Sequence, residues 1–228
     1  MLAVKNHLNR GKEVGNMARK ESGAGQEQGL GARSRELRLT DILVAIVIAV
    51  VFGVVYKLWG PMYDVVKPIG LHAEQTVYGM WFLAGTFAYL VVRKPGAAVL
   101  AEVAASTVSA LLGSEWGIST LWYGLLQGLG AEIVFALFLY RSVSASLGVV
   151  SLAAIGAAAG SLALDFGYGY IGQLSAWNYT LLIGLRTIGS IAIAGVFAYY
   201  LSKALELTGA TKILRPASQR DYDALKRA

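Results

Sequence analysis

The stretch LTDILVAIVIAVVFGVVYKLW, residues 39–59, decides the fold. From Ile42 to Tyr56 it carries no charge. As a helix rising about 1.5 Å per residue, its length matches the roughly 30 Å hydrocarbon core of a bilayer. Five further apolar runs follow, at 76–92, 96–112, 118–140, 147–164 and 177–203. Each fits the span window of about 17–25 residues; the second, third and fifth are short, and the last is long enough to tilt or emerge. No strand-like alternation recurs over about ten residues, which argues against a β-barrel. The sequence therefore predicts an all-α integral membrane protein, a bundle of six transmembrane helices.

Composition agrees. Hydrophobic residues make up 56% of the 228 and charged residues only 15%, where a soluble domain carries about 25% charged residues. The 27 glycines suit membrane helices whose backbones approach closely. There is no cysteine, so neither a disulfide nor a thiolate metal site is expected. His7 and His72 are far apart in sequence, so no histidine metal cluster is expected either.

The net charge of +6 does not point to nucleic acid, because the charges lie in tails and short loops. With the N-terminus inside, 17 of the 20 lysines and arginines fall on the inner side, including Arg93, Lys94 and Arg141 in short loops. Only Lys57 and Lys67 fall outside, and Arg186 is left within a span. By the positive-inside rule both termini are expected in the cytoplasm, in a multi-pass plasma-membrane protein. The organisation expected is a flexible tail at 1–38 without a signal peptide, a transmembrane domain at 39–205 and a tail at 206–228.

The outer loops carry acids and rings instead: Asp64, Glu74, Glu115 and Asp165 with Trp59, Trp116, Tyr168, Tyr170 and Trp177. These rings read either as an interfacial belt or as a mouth that attracts a cation and stacks a flat ring. No phosphate-binding loop ending in Gly-Lys-Ser or Gly-Lys-Thr is present. Uphill transport would draw its energy from another subunit.

Three ionisable residues, Glu102, Glu132 and Arg186, lie inside the runs. Each costs at least ~2.5 kcal/mol to insert, and such residues mark function or a buried pair. At about 1.5 Å per residue, Glu102 lies roughly 10 Å in from the inner end of its run, and Glu132 and Arg186 roughly 20 and 14 Å in from the outer ends of theirs, so all three could meet in the middle of the membrane. A salt bridge between Arg186 and one glutamate is expected. The second carboxylate is then protonated, solvated or waiting for a cationic or hydrogen-bonding ligand. Gln127 lies one and a half turns before Glu132, Asp165 ends the fifth run, and Tyr78 and Trp81 share a face at i,i+3. Carboxylates and an amide below aromatics form a small-molecule pocket. In the first run Ala45, Ala49 and Gly53 make a small-residue stripe, read either as packing within the bundle or as a contact for another membrane subunit.

Three segments carry a resemblance: Arg-Lys-Pro-Gly-Ala-Ala (93–98) followed by Glu102, Gly-Ser-Glu-Trp-Gly (113–117) and Gly-Leu-Leu-Gln-Gly-Leu-Gly-Ala-Glu (124–132). Together they resemble the YkoE family of S components of energy-coupling factor (ECF) transporters, over roughly residues 41–203. The resemblance implies a six-helix subunit that binds thiamine or its hydroxymethylpyrimidine precursor at the outer side. It implies as partners a transmembrane coupling (T) subunit and two cytoplasmic ATPase (A) subunits. On that basis Glu102, Glu132 and Gln127 are candidates for polar recognition; Tyr78, Trp81 and Trp116 would stack on or cap the ligand, and Asp165 would face the mouth. Arg186 is the candidate structural ion pair, and Ala45, Ala49 and Gly53 match the usual coupling-subunit contact. No catalytic residue, metal or cofactor is implied, ATP being bound by the partners alone. The competing reading is a stand-alone ion-coupled carrier or channel whose mid-membrane carboxylates are proton or ion sites. An intramembrane protease needs a Ser–His pair or two aspartates, but His72 lies in a loop and Asp41 and Asp165 at opposite faces, so no enzyme is expected.

Overall fold

The computed structural model describes residues 36–214. The readings made for the tails fall largely at 1–35 and 215–228, outside the described residues. The described residues from Leu37 onward fall in one compact unit and form six helical rods: α1 (Leu39–Val66), α2 (Ala73–Val92), α3 (Ala97–Leu111), α4 (Ser119–Leu137), α5 (Leu147–Gly167) and α6 (Ala176–Leu207). Five are long and apolar enough to cross a membrane, and α3, with 15 residues, is the shorter apolar one.

Two rods depart from α geometry. The first ten residues of α2, Ala73–Phe82, are a 3₁₀ helix, and Leu83–Val92 continue as α. Runs of 3₁₀ beyond about four residues are uncommon. At about 2.0 Å per residue instead of 1.5, ten such residues add about 5 Å of reach, which compensates the short apolar run. Bonds from outside hold the segment: Trp59 Nε1 donates to the Val77 carbonyl at 2.9 Å and Trp81 Nε1 to the Tyr56 carbonyl at 3.2 Å. In α6 the stretch Ile191–Phe197 is a π-helix.

The first helix extends seven residues beyond the expected end at 59 and tolerates Pro61. Hydropathy falls after Tyr56, but Tyr63 still packs its ring on Tyr78 and Trp81, and that contact carries the helix onward. The stripe Ala45, Ala49 and Gly53 is buried. A Cβ on Gly53 would meet the Val108 side chain and the Ala105 carbonyl of α3. The bundle itself covers this face, which corrects the reading of the stripe as a coupling-subunit contact.

The segment 124–132 is a packing code. Gly124 and Gly128 lie against α3 at Ser106 and Val99, and Gly130 lies against Gly156 of α5. Between them Gln127 turns into the bundle and is 3% exposed. Gly160 presses on the Leu126 carbonyl. Gly160→Val would push α4 and α5 apart and is expected to cost about 3 kcal/mol. A large drop in the melting temperature of the detergent-solubilised protein would show it, and an unchanged melt would refute the close contact.

Candidate functional site

At the end of the bundle opposite the basic loops, a cavity of about 590 Å³ opens among all six rods and the α3–α4 turn. Four rings wall one side. Trp81 lies 5.3 Å from Tyr63, 5.1 Å from Tyr78 and 5.0 Å from Trp116, centroid to centroid, in tilted or edge-on contact. Edge contacts leave ring faces open, the surface a flat or cationic ligand uses.

The 3₁₀ geometry explains how α2 supplies this wall. At three residues per turn, positions i, i+3 and i+6 eclipse. Gln75, Tyr78 and Trp81 therefore stand in one row, and all three line the cavity. In an α-helix the first and last would be roughly 120° apart.

Arg186 anchors the floor. It is 2% exposed. Its Nη1 donates to Asp165 Oδ2 at 2.6 Å and to Ser161 Oγ at 3.0 Å, and its Nε donates to Gln75 Oε1 at 2.7 Å. Its Cζ lies 3.9 Å from the Tyr78 ring centroid. Tyr123 donates to the other Asp165 oxygen at 2.5 Å. Gln75 Nε2 donates onward to the Tyr63 hydroxyl at 3.0 Å and to Glu74 at 3.1 Å. One network thus fixes the aromatic row of α2 to α4, α5 and α6.

This corrects the expected ion pair: the partner of Arg186 is Asp165, not a glutamate. The depth argument failed because both glutamates are satisfied by the start of a helix segment. The first four N–H groups of a helix lack an internal partner and favour a negative charge. Glu132 accepts from the backbone N–H of Gly96 (2.6 Å), Ala98 (3.0 Å) and Val99 (3.3 Å) at the start of α3, and from the Tyr140 hydroxyl at 2.9 Å. Gly96 has φ 84°, a conformation that favours glycine and aims its N–H at the carboxylate. Glu102 accepts from Gly85 N–H at 2.7 Å and from the Tyr56 hydroxyl at 2.9 and 3.0 Å; Tyr56 in turn accepts from Ala84 N–H at 2.8 Å. Those amides open the α portion of α2, where the 3₁₀ segment ends.

Of the residues named from sequence, Tyr78, Trp81, Trp116, Gln127 and Asp165 line one cavity, with Arg186 among them. Glu102 and Glu132 do not line it, and they sit in separate hydrogen-bond networks. The expectation that both face the ligand is corrected. Glu102 touches the cavity only through Tyr56. The sequence reading missed Gln75, Tyr63, Ser106 and Ser109. Ser106 and Ser109 are a polar i,i+3 pair in an apolar run, a signal that was there to read.

Three lining side chains are buried without a protein hydrogen-bond partner among the described residues: Gln127 (3% exposed), Ser106 (2%) and Ser109 (2%). Among the described residues no side-chain polar atom fully shielded from solvent lacks a partner, so the unused capacity of these groups faces the cavity. Buried polar groups in native proteins are otherwise satisfied, so such a cluster on an aromatic-walled hollow is the form of a ligand site.

Comparisons with known proteins agree with that geometry. The family model for the permease component of ABC-type cobalt transport systems matches residues 40–162. A Bacillus subtilis (strain 168) protein named as the HMP/thiamine permease YkoE is 34% identical over 174 residues, covering 75% of this chain and 86% of its own length. A crystal structure of an S-component of an ECF transporter superposes with a TM-score of 0.74 and 30% identity. That match covers 84% of this chain and 95% of the solved one.

Proposed function

The chain belongs to the YkoE-type S components of ECF transporters and is a multi-pass membrane transport protein; from that premise we propose that its cavity captures thiamine or the hydroxymethylpyrimidine precursor for import. The observation that carries this reading is the set of buried, unpartnered groups Gln127, Ser106 and Ser109 beneath the rings Tyr63, Tyr78, Trp81 and Trp116. An aminopyrimidine offers donors and acceptors to the amide and hydroxyls, and both heterocycles of thiamine stack on rings. The fixed thiazolium charge suits a lining that is rich in acid and aromatics.

In this proposal six rods span the membrane, α3 included, with both termini on the cytoplasmic side. The basic loops at 93–96 and 141–146 support that orientation. The mouth then faces outward. A coupling subunit and two ATPases supply the energy, and the chain itself needs no cofactor and performs no catalysis. The lining, an amide and hydroxyls beneath rings, suits an organic ligand.

The test is titration of the purified full-length protein with thiamine and with hydroxymethylpyrimidine, read by tryptophan fluorescence from Trp81 and Trp116. Saturable quenching is expected, and its absence for both ligands at micromolar concentration would sink the reading. Gln127→Leu is the sharper variant. Its amide has no protein partner to lose, so the melting temperature should hold. Ligand binding should weaken by about 1.4–2.8 kcal/mol, roughly 10–100-fold.

A further inference from the structure

The cavity lining holds more acid than base. Asp64, Glu74, Glu115 and Asp165 stand against Lys67 and Arg186, with His72 Nδ1 3.8 Å from Glu74. The charge of the deep cation is already matched: Arg186 is paired with Asp165, gives its Nε and Nη1 hydrogens to Gln75, Ser161 and Asp165, and is covered by the Tyr78 ring. Asp64, Glu115 and Lys67 are exposed and form the rim. Below them the unpartnered groups, Gln127, Ser106 and Ser109, are all neutral.

A phosphate ester brings a charge of about −1.5 to −2 at neutral pH. To enter it would have to pass a rim where two carboxylates outnumber Lys67 and settle where the one buried cation, Arg186, already has its charge matched by Asp165. Specificity of this kind is built from repulsion as much as from attraction. Resting on the function proposed above, the geometry points to a charge filter: the cavity admits the unphosphorylated vitamin and turns away its phosphate esters, with Asp64 and Glu115 as the specificity-determining residues. A phosphomonoester hydrolysis on the outer side of the membrane must then precede capture whenever the available vitamin is phosphorylated. The product delivered inside is a free alcohol, the substrate of a phosphoryl-transfer step.

The experiment is competition between thiamine and thiamine monophosphate on the full-length protein in detergent, at low and high salt. The monophosphate is expected to bind at least about thirtyfold more weakly at low salt, and the gap should narrow as salt screens the rim. In Asp64→Asn/Glu115→Gln thiamine should bind more weakly and the monophosphate more tightly than in the unmodified protein, so that the gap shrinks to below about tenfold. A monophosphate within threefold of thiamine in the unmodified protein overturns the filter and leaves the proposed site standing. A gap that neither salt nor the double variant changes is steric and also overturns it. The salt series needs no variant, so a misfolded double variant leaves the test intact. Failure of thiamine itself to bind removes the function reading and the filter together.

Discussion

Replacing Arg186 by methionine is expected to destabilise the protein by about 3–5 kcal/mol and to abolish ligand binding. Breaking a buried pair leaves its partner charged and unpaired, and that cost is of this size. Asp165 is 6% exposed and would keep only Tyr123 and whatever water reaches it. Gln75 and Ser161 would lose their shared donor at the same time. The measurement is a melting curve alongside a thiamine titration. The double variant Arg186→Met/Asp165→Leu separates the two effects, because replacing a buried pair with apolar groups is often neutral or stabilising. It should regain most of the stability and none of the binding, since the row on α2 has lost its anchor. An Arg186→Met protein that melts like the parent would show that the network is not structural.

Glu132→Ala should be nearly as damaging to the fold and harmless to the site. It strips a carboxylate from three backbone amides and the Tyr140 phenol. Unsatisfied buried donors cost roughly 1–3 kcal/mol each, and partial relaxation brings the total to about 3–4 kcal/mol. Glu132→Gln keeps an acceptor oxygen and should cost about 1–2 kcal/mol. Thiamine affinity should stay within about twofold in both, because the residue does not line the cavity and distant sites act independently. A loss of affinity of tenfold or more at an unchanged melt would return Glu132 to the ligand site.

Much of the architecture was written in the apolar runs, because a bilayer forces every buried amide into a helix and length then follows from thickness. The aromatic wall was legible in part. Tyr78 and Trp81 stood out at i,i+3, but Gln75 joins them only under threefold periodicity, and nothing in the sequence announces a ten-residue 3₁₀ segment. The charges were misread for a definable reason. Counting ionised side chains treats the membrane interior as a medium in which only an opposite charge can satisfy a carboxylate. Helix starts do so as well, and which start faces Glu102 or Glu132 is a tertiary fact that one-dimensional depth does not contain. Asp41 shows the same limit: it pairs with Lys94 at 2.5 Å, a contact between α1 and the α2–α3 turn that spacing alone does not reveal.

The eclipsed row on α2 also constrains how this lineage can change. Dropping or adding a single position between Gln75 and Trp81 would swing everything beyond it by about a third of a revolution and point the indole away from the guest. Swapping one ring or amide for another leaves the file in order. Diversification of preference along this wall is therefore confined to exchanges of residue type, with the length of the segment held fixed.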